Sequence, residues 1–411
     1  MTDFYDHLET RDPEAREREI FANLAHTLRT ITSKAPAWAD WLRDIEPEAI
    51  RGRADLAGIP VLRKPDLMER QAAEAPFGGF VVGEPGQYSR VFMSPGPVWE
   101  PQGAGLDPWG GARALYAAGF RKGDIVHNSL SYHLTPGGFI LDESARALGC
   151  AVFPAGIGNT EMQVAAIEAL RPSGFTGTPD YLKVLLDHAA ENSRDASSIS
   201  HALVSGGALF PSLRQEYADR GVTVFQCYAT ADLGVIAYES DPMDGLIVNE
   251  RLLVEIVRPG TGEPVPVGDV GEIVVTSLNP VYPLIRFGTG DLSAFMDSPS
   301  PCGRTNLRIK GWMGRADQRT KVKGMFIDPK QIDTVLKRLP DAVKARLVVD
   351  RADEQDRMTL KLEAGNGAPG LADTAQAALK DVTTLSGTVE IVAIGSLPND
   401  GKVIADERSY D

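Results

Sequence analysis

Apolar positions recur with two different periods along this chain. Near the N-terminus the period is helical: residues 14–30 place Ile20, Leu24 and Leu28 on one face. A second apolar stretch opens at Trp38, and residues 59–67 read as a loop leading into a helix. From residue 125 short apolar runs alternate with helical segments. Residues 125–129, 150–153, 175–177, 202–204 and 222–225 read as strands, and residues 140–148, 161–170 and 179–188 as helices. Gly149 stops the first of these helices, Asn159 or Thr160 is placed to cap the second, and the 150–153 strand is expected to be buried. Such alternation predicts a mainly parallel sheet with helices on its faces.

Past Asp232 the texture changes. Strands at 252–257 and 271–276, joined by the turn-rich Pro259-Gly260-Thr261-Gly262, predict an antiparallel β portion. A smaller unit follows. Asp328-Pro329 opens a helix to Leu339, and strands at 346–349, 358–362 and 389–394 frame a helix at 371–384. The expected fold class is therefore α/β, with a large N-terminal domain over residues 1–316 and a small α+β domain over residues 317–411.

Composition narrows the function. A length of 411 residues suits two or three domains. A net charge of −14 argues against a nucleic-acid partner or an anionic membrane, both of which need a basic face. It leaves small anionic ligands open. Residues 318–411 carry 14 basic and 15 acidic side chains, so the acidity belongs to the large domain. Gly (41) and Pro (28) are plentiful enough to imply many loops. Three scattered cysteines, Cys150, Cys227 and Cys302, give no disulfide framework. With no signal-peptide pattern and no run of about 20 apolar residues, a cytoplasmic location is expected.

Common catalytic signatures are missing. There is no GxxxxGK[ST], no GxGxxG after a strand, no GxSxG around Ser205 and no histidine pair at zinc spacing. The informative stretch is Ile285-Arg286-Phe287-Gly288-Thr289-Gly290-Asp291-Leu292, followed by Gly314-Arg315-Ala316-Asp317, Lys321-Val322-Lys323-Gly324 and Asp328-Pro329. A carboxylate after two glycines suits a ribose diol, and a nearby guanidinium suits hydroxyl or phosphate.

In this order the segments resemble the phenylacetate–CoA ligase family of adenylate-forming enzymes, over nearly the whole chain. Gly158-Asn159-Thr160-Glu161, Thr178-Pro179-Asp180-Tyr181, Ser205-Gly206-Gly207-Ala208, Tyr228-Ala229-Thr230-Ala231-Asp232, Pro301-Cys302-Gly303-Arg304-Thr305 and Leu397-Pro398-Asn399-Asp400-Gly401-Lys402 extend the likeness. The resemblance implies an AMP-forming acyl-CoA ligase. Carboxylate and ATP give an acyl-adenylate, and CoA then displaces AMP. It implies Lys402, Thr230 and Asp232 as catalytic residues, with Asp232 also beside Mg2+. It implies Ser205, Gly206, Gly207, Tyr228, Asp291 and Arg315 around ATP or AMP, Lys321 and Lys323 near CoA, and Asp317 as hinge. Tyr132, His133, Gly137, Gly138, Phe139, Ala155 and Gly156 would surround the acid, and glycines beside aromatics suit a flat aryl acid.

Departures keep other readings open. The phosphate loop reads Val91-Phe92-Met93-Ser94-Pro95-Gly96-Pro97-Val98-Trp99-Glu100-Pro101, leaving Ser94 and Gly96 as its donors and Glu100 near a family lysine. Prolines remove amide donors, and an added carboxylate should weaken pyrophosphate binding. Hence the rivals: an acyltransferase of the same fold working between CoA and a carrier-protein thiol, or a non-catalytic nucleotide- or acyl-CoA-binding protein. Ser240 and Ser300 stand where some relatives have cysteine, so zinc is not expected. A homodimer is implied by analogy only.

Overall fold

The computed structural model describes residues 4–316, 320–322, 325–352, 355–365 and 370–408. They form two compact units. The first comprises Met1–Val254, Val275–Thr289 and Met296–Trp312, and the second Glu255–Val274, Gly290–Phe295 and Met313–Asp411. The expected cut at residue 316 is thus corrected. Two earlier segments pack with the C-terminal part, because long-range pairing rather than chain order decides membership: Leu292 accepts from Met313 N–H and donates to the Gly314 carbonyl, both at 2.9 Å.

The first unit is built on an eight-stranded sheet. Five strands run parallel: Ala151–Pro154 at the edge, then Ile125–Asn128, Gly174–Gly177, His201–Val204 and Thr223–Thr230. Gly234–Tyr238, Leu246–Val248 and Arg308–Ile309 continue it antiparallel. Helices Gly137–Leu148, Thr160–Leu170, Pro179–Glu191 and Pro211–Asp219 make the crossovers, as parallel strands demand. Successive side chains point to opposite faces. Leu203 and Phe225 therefore join one apolar cluster with Ile140 and Leu141, while Ala202, Val204 and Val224 join another with Ile167, Leu182 and Leu185.

Two local expectations change. The strand after Gly149 is a partly exposed edge rather than a buried strand, because no strand among the described residues pairs beyond it. Asn159 precedes the Thr160–Leu170 helix with φ 51° and makes no side-chain cap. Gly149 does end its helix, at φ 93°.

From Pro329 onward the second unit runs helix, two strands, helix, strand, with one short strand added. Strands Thr388–Val392, Gln355–Ala364, Ala342–Ala352 and Ile404–Asp406 lie in that order, and helices Pro329–Lys337 and Leu371–Thr383 cover them. The N–H of Asp328 is held by Gln331 Oε1 at 2.9 Å, which fixes the start of the first helix. Ile332, Val335, Leu347, Leu360 and Leu379 are fully buried there. Leu360→Ala should destabilise this unit by about 2–5 kcal/mol. Chemical denaturation would read that as a lower midpoint; an unmoved midpoint would place Leu360 outside the core.

Candidate active site

The candidate residues of the first unit follow the carboxyl ends of the parallel strands. Tyr132 and His133 come after Ile125–Asn128, Ala155 and Gly156 after Ala151–Pro154, Ser205 to Gly207 after His201–Val204, and Thr230 and Asp232 end Thr223–Thr230. This is where ligands bind on open α/β sheets. Main-chain bonds tie the loops together: Gly156 N–H to Asn128 carbonyl at 3.1 Å, Ser129 N–H to Thr176 carbonyl at 2.8 Å, and Ser205 N–H to Gly177 carbonyl at 3.0 Å. Gln163 pins the 155–159 loop, donating to the Gly156 and Gly158 carbonyls at 2.9 and 2.7 Å. Its Oε1 meets buried His127 Nε2 at 2.8 Å.

The acyl-pocket candidates gather around the Tyr132 ring. Its hydroxyl donates to Asp142 Oδ2 at 2.8 Å and accepts from Asn128 Nδ2 at 2.7 Å. Asn128 also donates to the Gly138 carbonyl at 2.8 Å. Burial, and then Asp142, hold the Tyr132 phenol far above its usual range. Phe139 meets the ring edge-on at 5.0 Å. A Cβ on Gly138 would lie 2.9 Å from the ring, so only glycine fits there, while one on Gly156 would lie 3.9 Å away. The N–H of His133 turns to Ser131 Oγ at 3.3 Å.

Ser205 is less available than expected. Its hydroxyl donates to the Cys227 carbonyl at 2.9 Å. Gly206 has φ 73°, and a Cβ on Gly207 would press on Pro179 at 3.2 Å, so this turn is shaped by close approach. Tyr228 is buried, and Thr230 Oγ1 accepts from Leu233 N–H at 3.3 Å.

The phosphate-loop segment is a β-hairpin, Arg90–Ser94 with Val98–Gln102. Its tip, Pro95-Gly96-Pro97, has a single main-chain N–H. Ser94 Oγ donates to Glu100 Oε1 at 2.8 Å, so that hydroxyl is committed. Glu100 itself overturns an expectation. It lies on the strand, wholly buried, and burial first, then the neighbouring Asp232 charge, pushes its carboxyl up to about 9. At neutral pH it is an uncharged acid, not an added negative charge. Glu100 Oε2 and Asp232 Oδ1 are both buried without another partner, and one proton held between them satisfies both. The Tyr282 hydroxyl beside these carboxyls is likewise buried and unpartnered. Asp232 Oδ2 lies 3.5 Å from Lys64 Nζ.

In the second unit Asp291 Oδ1 accepts from Arg315 Nη1 at 2.9 Å, across a bridge that places the two residues side by side. A Cβ on Gly290, at φ 73°, would lie 2.7 Å from the Arg315 guanidinium. Lys402 is exposed on a loop held by three contacts. Asp400 takes two bonds from Arg346 at 2.6 and 3.0 Å, Asn399 donates to Asp269 at 3.2 Å, and Leu397 N–H donates to Glu363 at 2.7 Å. Gly401 packs on Leu292, the neighbour of Asp291. Lys402 also lines a cavity of about 420 Å³ with Arg258, Asp269 and Lys344. Lys321 belongs to strand Thr320–Val322, while Asp317 and Lys323 lie outside the described residues.

Ser240, Ser300 and Cys302 do come together. The Cys302 sulfur is 3.2 and 3.0 Å from the two hydroxyls and 3.4 Å from Arg304 Nη1. Burial raises this thiol, but the bonds from Ser240, Ser300 and Arg304 together outweigh it and bring it to about 7. One sulfur beside a guanidinium is a poor zinc donor set.

Sequence reasoning missed Lys64, Asp142, Gln163 and Tyr282. Lys64 and Tyr282 lie by residues far off in the chain, and Asp142 and Gln163 bond across turns of the fold, so no local pattern announces these contacts.

Residues 139–280 match the AMP-binding enzyme family, and residues 324–408 match the AMP-binding enzyme C-terminal domain. A phenylacetate–coenzyme A ligase of Thermus thermophilus is 32% identical over 353 residues, 82% of this chain and 78% of that one. One from Escherichia coli is 28% identical, with 87% and 86% covered. Among solved structures, a 2-hydroxyisobutyryl-CoA ligase in complex with 2-HIB-AMP and CoA superposes with a TM-score of 0.71 at 25% identity, covering 99% of this chain and 93% of that one.

Below a pH of about 4.5 the folded and unfolded chains both hold the Glu100 proton; between about 4.5 and 9 only the folded chain does. The Glu100 contribution to stability therefore falls as pH rises through that window, by at most about 1.4 kcal/mol per pH unit. Glu100→Gln should flatten the profile across it, measured as melting temperature against pH. Parallel profiles for the two proteins would show Glu100 to be ionised in the fold.

Proposed function

Because the chain belongs to the phenylacetate–coenzyme A ligase family and is an AMP-forming acid–thiol ligase, we propose that its acid is a flat aryl carboxylate activated beside Tyr132. The fixed ring of Tyr132 supports this reading most. Its hydroxyl is satisfied by Asp142 and Asn128, which leaves the ring to act as an apolar wall. Gly138 lets the backbone pack directly on the ring, Gly156 keeps a looser approach to it, and Phe139 adds a second aromatic edge.

In the first half-reaction a carboxylate oxygen of the acid bonds to the α-phosphorus of ATP, and pyrophosphate leaves. In the second the CoA sulfur bonds to the acyl carbon, AMP leaves with the electron pair of the broken C–O bond, and the thiol proton is lost. Negative charge gathers on phosphate oxygens in both, so donors and cations are needed rather than a protein nucleophile. Lys402 supplies an ammonium to the phosphate and carboxylate oxygens. The Asp291 carboxylate takes the ribose hydroxyls, with Arg315 fixing its orientation. Tyr228 and Thr230 flank the adenylate. Lys321 and Lys323 serve CoA, and Asp317 acts as hinge between the half-reactions. Magnesium arriving with ATP would be held by the Asp232 carboxylate, whose Oδ2 lies beside Lys64, and would supply positive charge to the phosphate oxygens.

The measurement is acid-dependent exchange of labelled pyrophosphate into ATP. Phenylacetate or benzoate should stimulate it in the wild type. Lys402→Ala should lower it at least about a hundredfold, while conversion of a supplied acyl-adenylate to thioester continues. No exchange with any acid, together with acyl transfer from acyl-CoA to a carrier-protein thiol, would replace the ligase reading by the acyltransferase one.

A further inference from the structure

The phosphate hairpin leaves a gap in the chemistry. Three leaving-group charges have to be met, and the tip residues Pro95-Gly96-Pro97 bring one N–H. Ser94 and Glu100 are spent on each other. Resting on the ATP-dependent reading above, we propose that Lys64 is the cation that holds the outer phosphates of ATP in this chain.

Three observations lead there. Lys64 Nζ lies 3.5 Å from Asp232 Oδ2, two residues beyond Thr230. The Asp232 side chain is 5% exposed, whereas that of Lys64 is 36% exposed. The ammonium therefore covers the solvent side of the carboxylate and has N–H bonds left for an incoming anion. Asp232 Oδ1 is buried on the Glu100 side, so Oδ2, beside Lys64, is the oxygen that faces an incoming polyphosphate and its counter-ion.

The support of Lys64 is built rather than incidental. It begins the helix Lys64–Ala73, and Gln71 of that helix bonds the hairpin in both directions. Gln71 Nε2 donates to the Trp99 carbonyl at 2.9 Å, and Trp99 N–H donates to Gln71 Oε1 at 2.8 Å. Met68 lies against the tip, where a Cβ on Gly96 would be 3.4 Å from its sulfur. Helix and hairpin thus form one braced piece, and Lys64 is carried at its end. The hairpin lacks a cation of its own at position 100, and the braced helix supplies one.

Equilibrium binding of ATP and of AMP, each with magnesium, to the full-length wild type, Lys64→Met and Lys64→Arg tests this. Lys64→Met should bind ATP about tenfold more weakly and AMP within about twofold of wild type. Lys64→Arg should recover most of the ATP affinity. Retained AMP binding also shows that the variant has folded. If wild type and Lys64→Met bind ATP equally, or if ATP and AMP weaken together in both variants, the assignment to Lys64 fails while the ligase reading stands. A wild type that binds no ATP and exchanges no pyrophosphate overturns both.

Discussion

Parallel strands cannot be joined by hairpins, and this chain's site depends on that constraint. Each return to the next strand needs a helix across one face of the sheet. Every loop entering a crossover helix therefore starts at the same edge. Tyr132, Gly156, Ser205 and Thr230 are far apart in sequence, yet each stands at or just past the carboxyl end of a strand. The apolar clusters on the two faces make this arrangement stiff, and the loops inherit the stiffness through main-chain bonds between neighbours. Gln163, bonded to His127 behind and to two glycine carbonyls in front, carries that order from the core to the pocket.

Burial alters the meaning of charge at this edge. Written as a sequence, Glu100 is one more acid in a protein of net charge −14. Inside the fold it is wholly covered and faces Asp232. Two ionised carboxylates side by side in such surroundings are far costlier than one shared proton. The group that looked hostile to phosphate is therefore neutral, and the charge that matters is carried by Asp232 against Lys64. The weakness of the hairpin is a shortage of donors at its tip, not electrostatic repulsion.

Much of this was legible beforehand. The alternation of short apolar runs with helical periods identified the five parallel strands and their crossovers, because buried strands and amphipathic helices leave different periods. The family likeness pointed to Asp291 and Arg315 together, and the two do lie side by side. Partnership was not legible. Asp142 is an ordinary helix acid until the Tyr132 hydroxyl reaches it, and Lys64 is a surface lysine until Asp232 lies beneath it. The strand after Gly149 misled for a similar reason: its residues are apolar, but only the absence of a further pairing strand decides that it is an edge. The domain cut misled because segments 255–274 and 290–295 pack with chain that comes later.

The two units also differ in how firmly they hold their chemistry. In the first, Ser205, Tyr228 and Asp232 are buried, and the hydroxyls of Tyr132 and Ser205 are satisfied by fixed neighbours. In the second, Lys402 is exposed, yet the loop leading into it is anchored, at Asp400 by Arg346 and at Leu397 by Glu363. A lysine on a free loop would lose much of its gain to ordering entropy each time it engaged a phosphate. Anchoring the neighbours removes most of that cost in advance and leaves only the four-carbon stem to be ordered. The Asp291–Arg315 pair follows the same logic, since the guanidinium orients the carboxylate before any ribose arrives. Such prior ordering would serve each of the two half-reactions proposed for this unit, because each engagement would draw on contacts that are already made.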